Sequence, residues 1–291
     1  MLWRPMMKEL SNKIVVITGA GSGMGRAYAL AFAKRNCRLA LCDYDANGLK
    51  ETVDMADKLS NSSPSSAVCH AVFDVSDKRS VESFANKVKD ELGNAHIVIN
   101  NAGIEGSAKP IWATEEDCFR RVMEVNYYGV VYGTQAFLPQ LLSQEEAAIV
   151  NVSSIFGLIG TPNHADYCAS KFAVRGFTES LMTELNDSSV QVHLVHPGGI
   201  DTNISRQEHS QSFSQHYLTT SADDMVERVV RGITKNQSRI VYGNGSKKTE
   251  IGARLLPLTW LKKFTWREMK KVIDLTHYDA RILNRNLRLR K

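Results

Sequence analysis

The chain has 291 residues, of which 43% are hydrophobic and 23% charged, and it carries a formal net charge of +5. This composition suits a globular protein with a large buried core and excludes an extensively disordered chain. No run of about 18 apolar residues occurs, and residues 1–10 hold no apolar stretch long enough for a signal peptide, so we expect a cytoplasmic protein.

Short apolar segments alternate along the chain with longer segments of helical period. The apolar segments predict strands at Lys13–Thr18, Arg38–Asp43, Ala67–Val72, His96–Asn100, Ala148–Ser153, Val190–His196 and Arg239–Gly243. The segments between them predict helices at Met24–Arg35, Ala46–Leu59, Asp77–Leu92, Thr114–Leu142, Ala165–Asn186 and Ala222–Lys235. This alternation indicates an α/β Rossmann fold, a single doubly wound parallel sheet with helices on both faces.

Charge divides the chain into two parts. From Lys247 to Lys291, 13 Lys and Arg accompany 4 Asp and Glu, a net charge of +9, whereas residues 1–246 carry a net charge of −4. We therefore predict a Rossmann-type catalytic domain over residues 1–245 and a basic, partly amphipathic extension over residues 246–291. A polar stretch at 204–220, after the sixth strand, predicts a lid over the carboxyl edge of the sheet.

The five cysteines form neither a Cys-x-x-Cys pair nor a Cys/His cluster with the spacing of zinc ligands, so we expect no metal site. Cys37, Cys42 and Cys69 lie in or beside apolar segments. Together with the odd number of cysteines, this predicts small buried thiols in a reducing compartment and not disulfides.

A glycine-rich turn follows the first predicted strand. Glycine lets the backbone turn tightly and approach a pyrophosphate, whose charge is attracted by the N–H groups at the start of the next helix. Such a turn can also be purely structural. As cofactor contacts in this turn we predict Gly19, Ser22, Gly23, Met24 and Gly25.

Asp43 closes the second predicted strand, 24 residues after Gly19. A carboxylate at this place accepts hydrogen bonds from the ribose hydroxyls of adenosine and repels the 2′-phosphate of NADP. Positions 44–46 carry no Lys or Arg, so we predict NAD as the cofactor, with NADP as the alternative. A helix-capping role for Asp43 also stays open.

Two further motifs follow the third and fourth predicted strands: Asp74-Val75 and Asn100-Asn101-Ala102-Gly103. In this order and spacing, and together with the glycine turn, they resemble the short-chain dehydrogenase/reductase family. The resemblance implies that Asp74 and Val75 lie against the adenine. It also implies that Asn101, Ala102 and Gly103 support the cofactor and the central sheet.

Tyr167 and Lys171 lie four residues apart in a predicted helix, so the phenol and the ammonium share one helix face. The lysine charge is expected to lower the pKa of the phenol from about 10, which would let Tyr167 exchange a proton with a substrate hydroxyl. Ser154, which precedes Tyr167 by 13 residues, can hydrogen-bond the reacting oxygen.

The family resemblance extends to three more places. Its catalytic serine lies 13 residues before the tyrosine, which selects Ser154 and leaves Ser153 a structural role. Its fourth catalytic position matches Asn126, where an asparagine perturbs a helix and helps to hold a water beside the lysine. The loop at 197–202 resembles the one that contacts the nicotinamide end, although a proline-glycine turn alone is the alternative. The cofactor contacts implied in this region are Tyr167, Lys171, Pro197, Gly198, Ile200 and Thr202.

The leading interpretation is an oxidoreductase that transfers a hydride between NAD(H) and an alcohol or ketone carbon of a moderately hydrophobic substrate. An NADP-preferring carbonyl reductase and a non-catalytic NAD-binding regulator of the same fold are the alternatives. Sugar-nucleotide epimerases and dehydratases also use Tyr-x-x-x-Lys, but their last two glycines are three apart, whereas here they are Gly23 and Gly25. Substrate is expected near the 203–220 loop and near Ile104, Glu105, Ile155, Phe156, Leu158 and His164.

Two partners are expected besides the small-molecule substrate. The resemblance implies a homodimer or homotetramer that packs through Thr114–Leu142 and Ala165–Asn186. Residues 251–273 interleave aromatic and aliphatic side chains with basic ones, a composition typical of a helix at a membrane surface. The alternative is that this segment folds over the substrate pocket or a neighbouring subunit. Nucleic-acid binding is not expected, because residues 1–246 are acidic.

Overall fold

The computed structural model describes residues 7–59, 68–202 and 215–279. In these residues every predicted strand forms, with ends that differ by one or two residues from the predicted ones. The strands are β1 (Ile14–Thr18), β2 (Arg38–Asp43), β3 (Cys69–Val72), β4 (Ile97–Asn100), β5 (Ala147–Val152), β6 (Val190–Pro197), β7 (Ile200–Asp201), β8 (Thr220–Ser221) and β9 (Arg239–Tyr242).

Seven of these strands form one parallel sheet in the order β3-β2-β1-β4-β5-β6-β9, and β7 pairs with β8 in a separate two-stranded sheet. The strand order reverses between β1 and β4, which leaves a crevice at the carboxyl ends of these strands. The predicted doubly wound Rossmann fold is therefore confirmed.

The helices are α1 (Gly23–Ala33), α2 (Ala46–Leu59), α3 (Lys78–Leu92), α4 (Glu116–Met123), α5 (Gly129–Leu142), α6 (Ala165–Glu184), α7 (Ala222–Thr234), α8 (Ser246–Leu255) and α9 (Leu258–Met269). The prediction of one regular helix over Thr114–Leu142 was wrong. Helical structure begins at Glu116, and a π-helical turn at Glu124–Tyr128 separates α4 from α5. The turn contains Asn126, the position at which the family resemblance implies a perturbed helix.

The strand residues alternate between two buried layers. Val15 and Ile17 pack with Tyr28 and Phe32 of α1 on one face of the sheet, and α7 joins the same layer. Val16 packs in the opposite layer, whose residues come from α3, α5 and α6. Apolar side chains therefore cover both faces of every central strand, as the uninterrupted apolar runs predict.

The three cysteines that were expected to be buried are free thiols inside the fold. Cys37, Cys42 and Cys69 are buried, and burial raises the pKa of Cys37 and of Cys69 to about 12.

The C-terminal extension is helical. After β9, the chain forms α8 and α9. No helix in the described residues is long and apolar enough to cross a membrane. Residues 203–214 of the expected lid lie outside the described residues, and the domain boundary at 245/246 stays a prediction.

Candidate active site

The glycine turn between β1 and α1 takes a shape that side chains would prevent. Gly19 and Gly23 have positive φ values of 68° and 52°, a region that favours glycine. A Cβ on Gly25 would lie 1.8 Å from the carbonyl oxygen of Gly19. Ser22 is the N-cap of α1 and makes no side-chain capping hydrogen bond, and Met24 follows in the first turn. The turn therefore presents backbone N–H groups and the Ser22 hydroxyl at a helix N-terminus, which suits a phosphate.

Asp43 lies against this turn at the carboxyl end of β2. Its side chain is 8% exposed, and its Oδ2 accepts a hydrogen bond of 2.7 Å from the Gly21 amide. Its Oδ1 accepts a second bond, of 2.9 Å, from the Asp45 amide. The carboxylate thus holds the glycine turn against β2. It does not cap α2, because the first turn of that helix is bonded by Asp45, whose Oδ1 accepts from the Asn47 amide at 3.1 Å.

A residue that the sequence did not single out, Arg26, connects the same region. Its guanidinium donates to the carbonyl oxygens of Gly21 at 2.6 Å and Gly48 at 3.2 Å, and to Glu51 at 2.8 Å. A lone arginine in a helix carries no sequence signal of its own, and two of these partners, Gly48 and Glu51, lie more than 20 residues away along the chain.

Asp74 and Val75 follow β3, as expected, and both have protein partners. Asp74 accepts hydrogen bonds from the amide and hydroxyl of Ser76, at 2.9 and 2.7 Å, and pairs with Arg121. Burial by itself would raise the pKa of the Asp74 carboxyl, but these bonds lower it. Val75 is 6% exposed and packs closely over Gly129 at the start of α5.

The turn after β4 is tied to the end of β1. The amides of Asn101 and Ala102 both donate to the Thr18 hydroxyl at 3.0 Å, and the Asn101 side chain donates to the Thr18 carbonyl at 3.0 Å. A Cβ on Gly103 would lie 3.4 Å from Nζ of Lys171. The turn therefore connects the cofactor crevice with the predicted catalytic helix α6.

Tyr167 and Lys171 lie on one face of α6, as predicted. Nζ of Lys171 lies 5.5 Å from the centroid of the Tyr167 ring and donates to the Val152 carbonyl at 3.1 Å. Burial lowers the pKa of Lys171 to about 8 and raises that of Tyr167 to about 12. The expected lowering of the tyrosine pKa was wrong for the protein alone, because burial outweighs a hydrogen bond from Ser154 that acts in the opposite direction.

The two serines at the end of β5 have different partners. The Ser154 side chain hydrogen-bonds the phenol of Tyr167 and accepts a bond of 3.1 Å from the Phe156 amide. The Ser153 hydroxyl donates to the Lys171 carbonyl at 2.9 Å, away from the phenol. Within this structure only Ser154, of the two, reaches the tyrosine, as the spacing predicts.

Asn126 lies in the π-helical turn and is fully buried. Its Oδ1 accepts from the Ile104 amide at 2.8 Å, and its Nδ2 donates to the Ile104 carbonyl at 3.0 Å and to the Ser170 hydroxyl at 3.1 Å. Oδ1 also lies 3.1 Å from the position of a Cβ on Gly103. The asparagine therefore joins the loop after β4 to the helix that carries Tyr167.

The loop after β6 faces the glycine turn across the crevice. Pro197 ends β6, and the Gly198 amide donates to the Tyr242 carbonyl at 2.7 Å. Ile200 is 5% exposed and pairs with Thr220 in the two-stranded sheet. A Cβ on Gly23 would lie 3.1 Å from the Cβ of Thr202. The two predicted cofactor loops therefore meet, although they are far apart in sequence.

An apolar cluster lies beside Tyr167 on the substrate side. Phe156, Cys168 and Met269 are buried together, and the partly buried residues that pack against them are Ile155, Tyr167, Tyr217 and Ile273. Ile155 and Phe156 were expected here, and Met269 and Ile273 come from the C-terminal extension. Part of the extension thus covers the expected substrate region, as one of the two alternatives predicted.

Three further residues were expected near the substrate: Glu105, Leu158 and His164. The negative charge of Glu105 adds to burial in raising the pKa of Tyr167, and Leu158 is buried. The His164 ring packs on Phe156 with centroids 5.2 Å apart, and its Nδ1 lies 2.8 Å from the Pro162 carbonyl. Burial lowers the pKa of His164. It therefore serves as a neutral packing residue.

Hydrogen bonds attach the extension to loops beside the site. The Tyr278 hydroxyl donates to Oδ1 of Asn163 at 2.7 Å, and Nδ2 of Asn163 donates to the Asp274 carbonyl at 2.8 Å. Nε1 of Trp112 donates to the His277 carbonyl at 3.0 Å. We call this segment, residues 274–278, the C-terminal strap.

Asp166 is another residue that the sequence did not single out. It is 1% exposed, and its carboxylate accepts hydrogen bonds from the amides of Ser107 at 2.7 Å and Tyr167 at 2.8 Å. The sequence offered one indication of its role: it is an acidic residue in the first turn of a helix, directly before Tyr167. It fixes the start of α6 against the loop after β4.

Comparisons with known proteins agree with this geometry. A family model described as short chain dehydrogenase matches residues 13–212. The chain is 38% identical over 262 residues to the protein named "Putative oxidoreductase SadH" of Mycobacterium tuberculosis, covering 86% of this chain and 93% of that protein. It is 33% identical over 261 residues to retinol dehydrogenase 10-B of Xenopus laevis, covering 81% and 76%.

Solved structures share the fold. A short-chain dehydrogenase/reductase from Burkholderia phymatum in complex with NAD superposes with a TM-score of 0.75 at 28% identity, covering 90% of this chain and 96% of that chain. An alcohol dehydrogenase from Thermococcus sibiricus complexed with 5-hydroxy-NADP superposes with a TM-score of 0.67 at 26% identity, covering 78% and 93%. The crevice therefore has the architecture of nicotinamide dinucleotide sites.

Proposed function

Because the chain belongs to the short-chain dehydrogenase/reductase family of oxidoreductases, we propose that it transfers a hydride between NAD(H) and an alcohol or ketone carbon. The observation that carries this proposal is the meeting of Ser154, Tyr167 and Lys171 beside an apolar cluster at the carboxyl edge of the sheet. A proton-transferring phenol, a hydrogen-bonding hydroxyl and an ammonium group are the parts that carbonyl reduction and alcohol oxidation need.

The crevice fits a dinucleotide because of the shape of its glycine turn. Gly19 and Gly25 let the turn pack tightly against Ala102 and against itself, where a side chain would collide with backbone. Ser22 and the first amides of α1, which this turn presents, would hold the charge of a pyrophosphate. The nicotinamide ring of such a cofactor supplies the carbon that accepts or donates the hydride. Thr202, which lies against Gly23, would contact the nicotinamide end of the dinucleotide.

NAD is the cofactor that the adenosine end favours. The buried Asp43 carboxylate would accept from ribose hydroxyls and repel a 2′-phosphate. Arg26 is the nearest guanidinium to the glycine turn, but two carbonyl oxygens and Glu51 already engage it. Its charge is therefore partly balanced and not directed at a phosphate on the ribose.

Tyr167 acts as the proton-transfer residue. Its hydroxyl already shares a hydrogen bond with Ser154, so a substrate oxygen placed beside both groups would receive two hydrogen bonds. Lys171 is charged below its pKa of about 8, and a positive charge near the ring favours the phenolate form. Asn126 holds Ile104 and Ser170 in place and so positions the loop opposite the phenol.

The substrate class that the pocket favours is a moderately hydrophobic alcohol or ketone. Phe156, Met269 and Ile273 pack beside Tyr167, so a substrate next to the phenol would contact apolar side chains. The similarity to a retinol dehydrogenase, an enzyme named for an apolar alcohol, supports the same class.

The test is an NADH absorbance assay on the full chain with secondary alcohols of increasing apolar size, matched polyols and the corresponding ketones. We expect turnover with NAD, and a kcat/KM that rises with apolar size. NAD binding without turnover on any alcohol or ketone would instead support the non-catalytic regulator. A higher kcat/KM with NADP would support the carbonyl reductase.

We also propose that the chain forms a homodimer or homotetramer through α4–α5 and α6. Tyr128, in the π-helical turn, is 45% exposed, and Phe172 of α6 is 41% exposed. Large apolar groups on neighbouring helices favour such packing. Tyr128→Lys should lower the sedimentation coefficient of the assembly at micromolar concentration, and a wild-type monomer would contradict the proposal.

A further inference from the structure

The α8–α9 hairpin, residues 246–269, has different surroundings at its two ends. At the end of α9, Met269 is buried against Phe156 and Cys168 beside the catalytic tyrosine. At the tip of the hairpin, on either side of Pro257, Leu255 is 75% and Leu258 76% exposed. The hairpin is therefore fixed to the enzyme at the end of α9 and presents its tip to the surroundings.

Exposed apolar groups are concentrated around this tip, and we call them together the hairpin face. Of the 14 large hydrophobic side chains that are exposed among the described residues, six lie between positions 251 and 264. They are Ile251, Leu255, Leu256, Leu258, Trp260 and Phe264. Single exposed apolar groups are ordinary on a protein surface, but six in so short a segment are typical of a contact site.

The charge around the hairpin face is strongly positive. Between residues 246 and 269 there are six Lys and Arg and two Asp and Glu, a net charge of +4. The Lys263 ammonium lies 5.9 Å from the centroid of the Trp260 ring, and that ring stacks on Phe264 with centroids 6.3 Å apart. One acidic residue, Glu250, already pairs with Arg254. The face thus combines aromatic and aliphatic anchors with uncompensated lysines.

We propose that the hairpin face docks onto the surface of an anionic lipid bilayer. Leu, Trp and Phe side chains would enter the boundary between headgroups and acyl chains, while Lys262 and Lys263 contact anionic headgroups. Protein interfaces are instead depleted in lysine. A two-fold contact with a second copy would place a net charge of +4 against itself, which opposes that occupant.

Docking at this face has a consequence for catalysis. This consequence rests on the proposed function, whereas the docking itself does not. The same hairpin ends in Met269, a member of the apolar cluster beside Tyr167, so a bilayer at the tip would lie about 17 Å along α9 from that cluster. An apolar alcohol dissolved in the lipid would then be concentrated beside the enzyme.

The test is co-sedimentation of the full chain with phosphatidylcholine vesicles that contain about 30% phosphatidylserine, compared with pure phosphatidylcholine. We expect binding to the anionic vesicles that weakens at high salt, because salt screens the lysine charges. Leu255→Ser with Leu258→Ser, and separately Lys262→Glu with Lys263→Glu, should each weaken binding by about tenfold or more.

A matched control replaces exposed apolar groups at the other end of the sheet. Met55 in α2 is 41% exposed and Val72 in β3 is 53% exposed, so Met55→Ser with Val72→Ser removes similar groups away from the hairpin. This variant should bind vesicles like the wild type. Thermal unfolding of every variant checks that the fold is retained.

Three results would overturn the proposal: no binding by the wild type, equal binding by all variants, or a shift of the hairpin variants from oligomer to monomer without vesicle binding. The last would identify a second copy as the occupant. Vesicle binding requires no turnover, so an inactive protein that binds vesicles contradicts only the proposed function. An active one that does not bind contradicts only the docking.

Discussion

The cofactor crevice and the C-terminal strap with its hairpin border the same site but are held in different ways. In the crevice, the side chains of Thr18 and Asn101 bond backbone groups, and the turn beside them has close backbone approaches at Gly19 and Gly25 that only glycine allows. At the strap, the contacts depend on the side chains of Trp112 and Tyr278. A turn that requires glycine tolerates few substitutions, whereas the strap contacts can be exchanged one at a time. Chemistry and substrate selection can therefore change independently in this architecture.

The largest effect is expected at the crevice, at the residue proposed to transfer the proton. Tyr167→Phe keeps the ring and its packing on Phe156 but removes the transferable proton. We expect kcat to fall by about 10²–10⁴-fold with NAD binding unchanged, measured by NADH absorbance and by cofactor titration. Tyr128→Phe, which removes an exposed hydroxyl elsewhere, is the control. Activity close to that of the wild type in Tyr167→Phe would remove this residue from the mechanism.

Lys171→Met should separate stability from activity. Burial lowers the lysine pKa from 10.5 to about 8, so the folded protein disfavours the charged form at neutral pH. Replacing the ammonium by an apolar group should stabilise the fold by about 2 kcal/mol and raise Tm by roughly 5 °C, while turnover falls.

The difference in stability between Lys171→Met and the wild type should depend on pH. As pH rises from 8 towards 10.5, the folded protein releases the lysine proton before the unfolded chain does, so the wild type gains stability. The advantage of Lys171→Met in Tm should therefore shrink over this range. A constant difference at all pH values would show that the buried charge is not its source.

A smaller effect is expected at the adenosine end of the crevice. Asp43→Ala removes the carboxylate that would repel a 2′-phosphate and also its bond to Gly21. We expect the ratio of kcat/KM for NAD over NADP to fall by about tenfold. Asp45→Ala, at an exposed neighbouring carboxylate, should leave the ratio unchanged. A wild-type enzyme that already prefers NADP would contradict this assignment of Asp43.

The smallest effect is expected at the strap. Tyr278→Phe removes the hydrogen bond to Asn163 but keeps the ring against Trp112. Losing this hydrogen bond should weaken the attachment of the strap by about 1 kcal/mol. We expect KM for large apolar alcohols to rise by about fivefold and KM for small alcohols to stay unchanged. His277→Ala provides the control, since only its backbone carbonyl contacts Trp112. An equal change in KM for all alcohols would mean that the strap does not select substrate.

Much of the crevice could be predicted from the sequence because its determinants are local. The strands appear as short apolar runs, and the turns after them carry residues such as Gly19 and Asn101 whose types and spacing reflect backbone needs. The four-residue spacing of Tyr167 and Lys171 places them on one helix face in any helix. Periodicity and spacing are properties of the chain itself, so these features needed no knowledge of distant contacts.

Only the tertiary structure decided the rest. The sequence left open whether the extension covers the site or faces outward, and the hairpin does both, because Met269 at the end of α9 is buried while Leu258 at its start is exposed. The direction of the Tyr167 pKa shift depended on burial, which raises the pKa and outweighs the hydrogen bond from Ser154 that lowers it. Long-range packing sets burial, and burial decides both the electrostatics of the site and the surface that the protein presents.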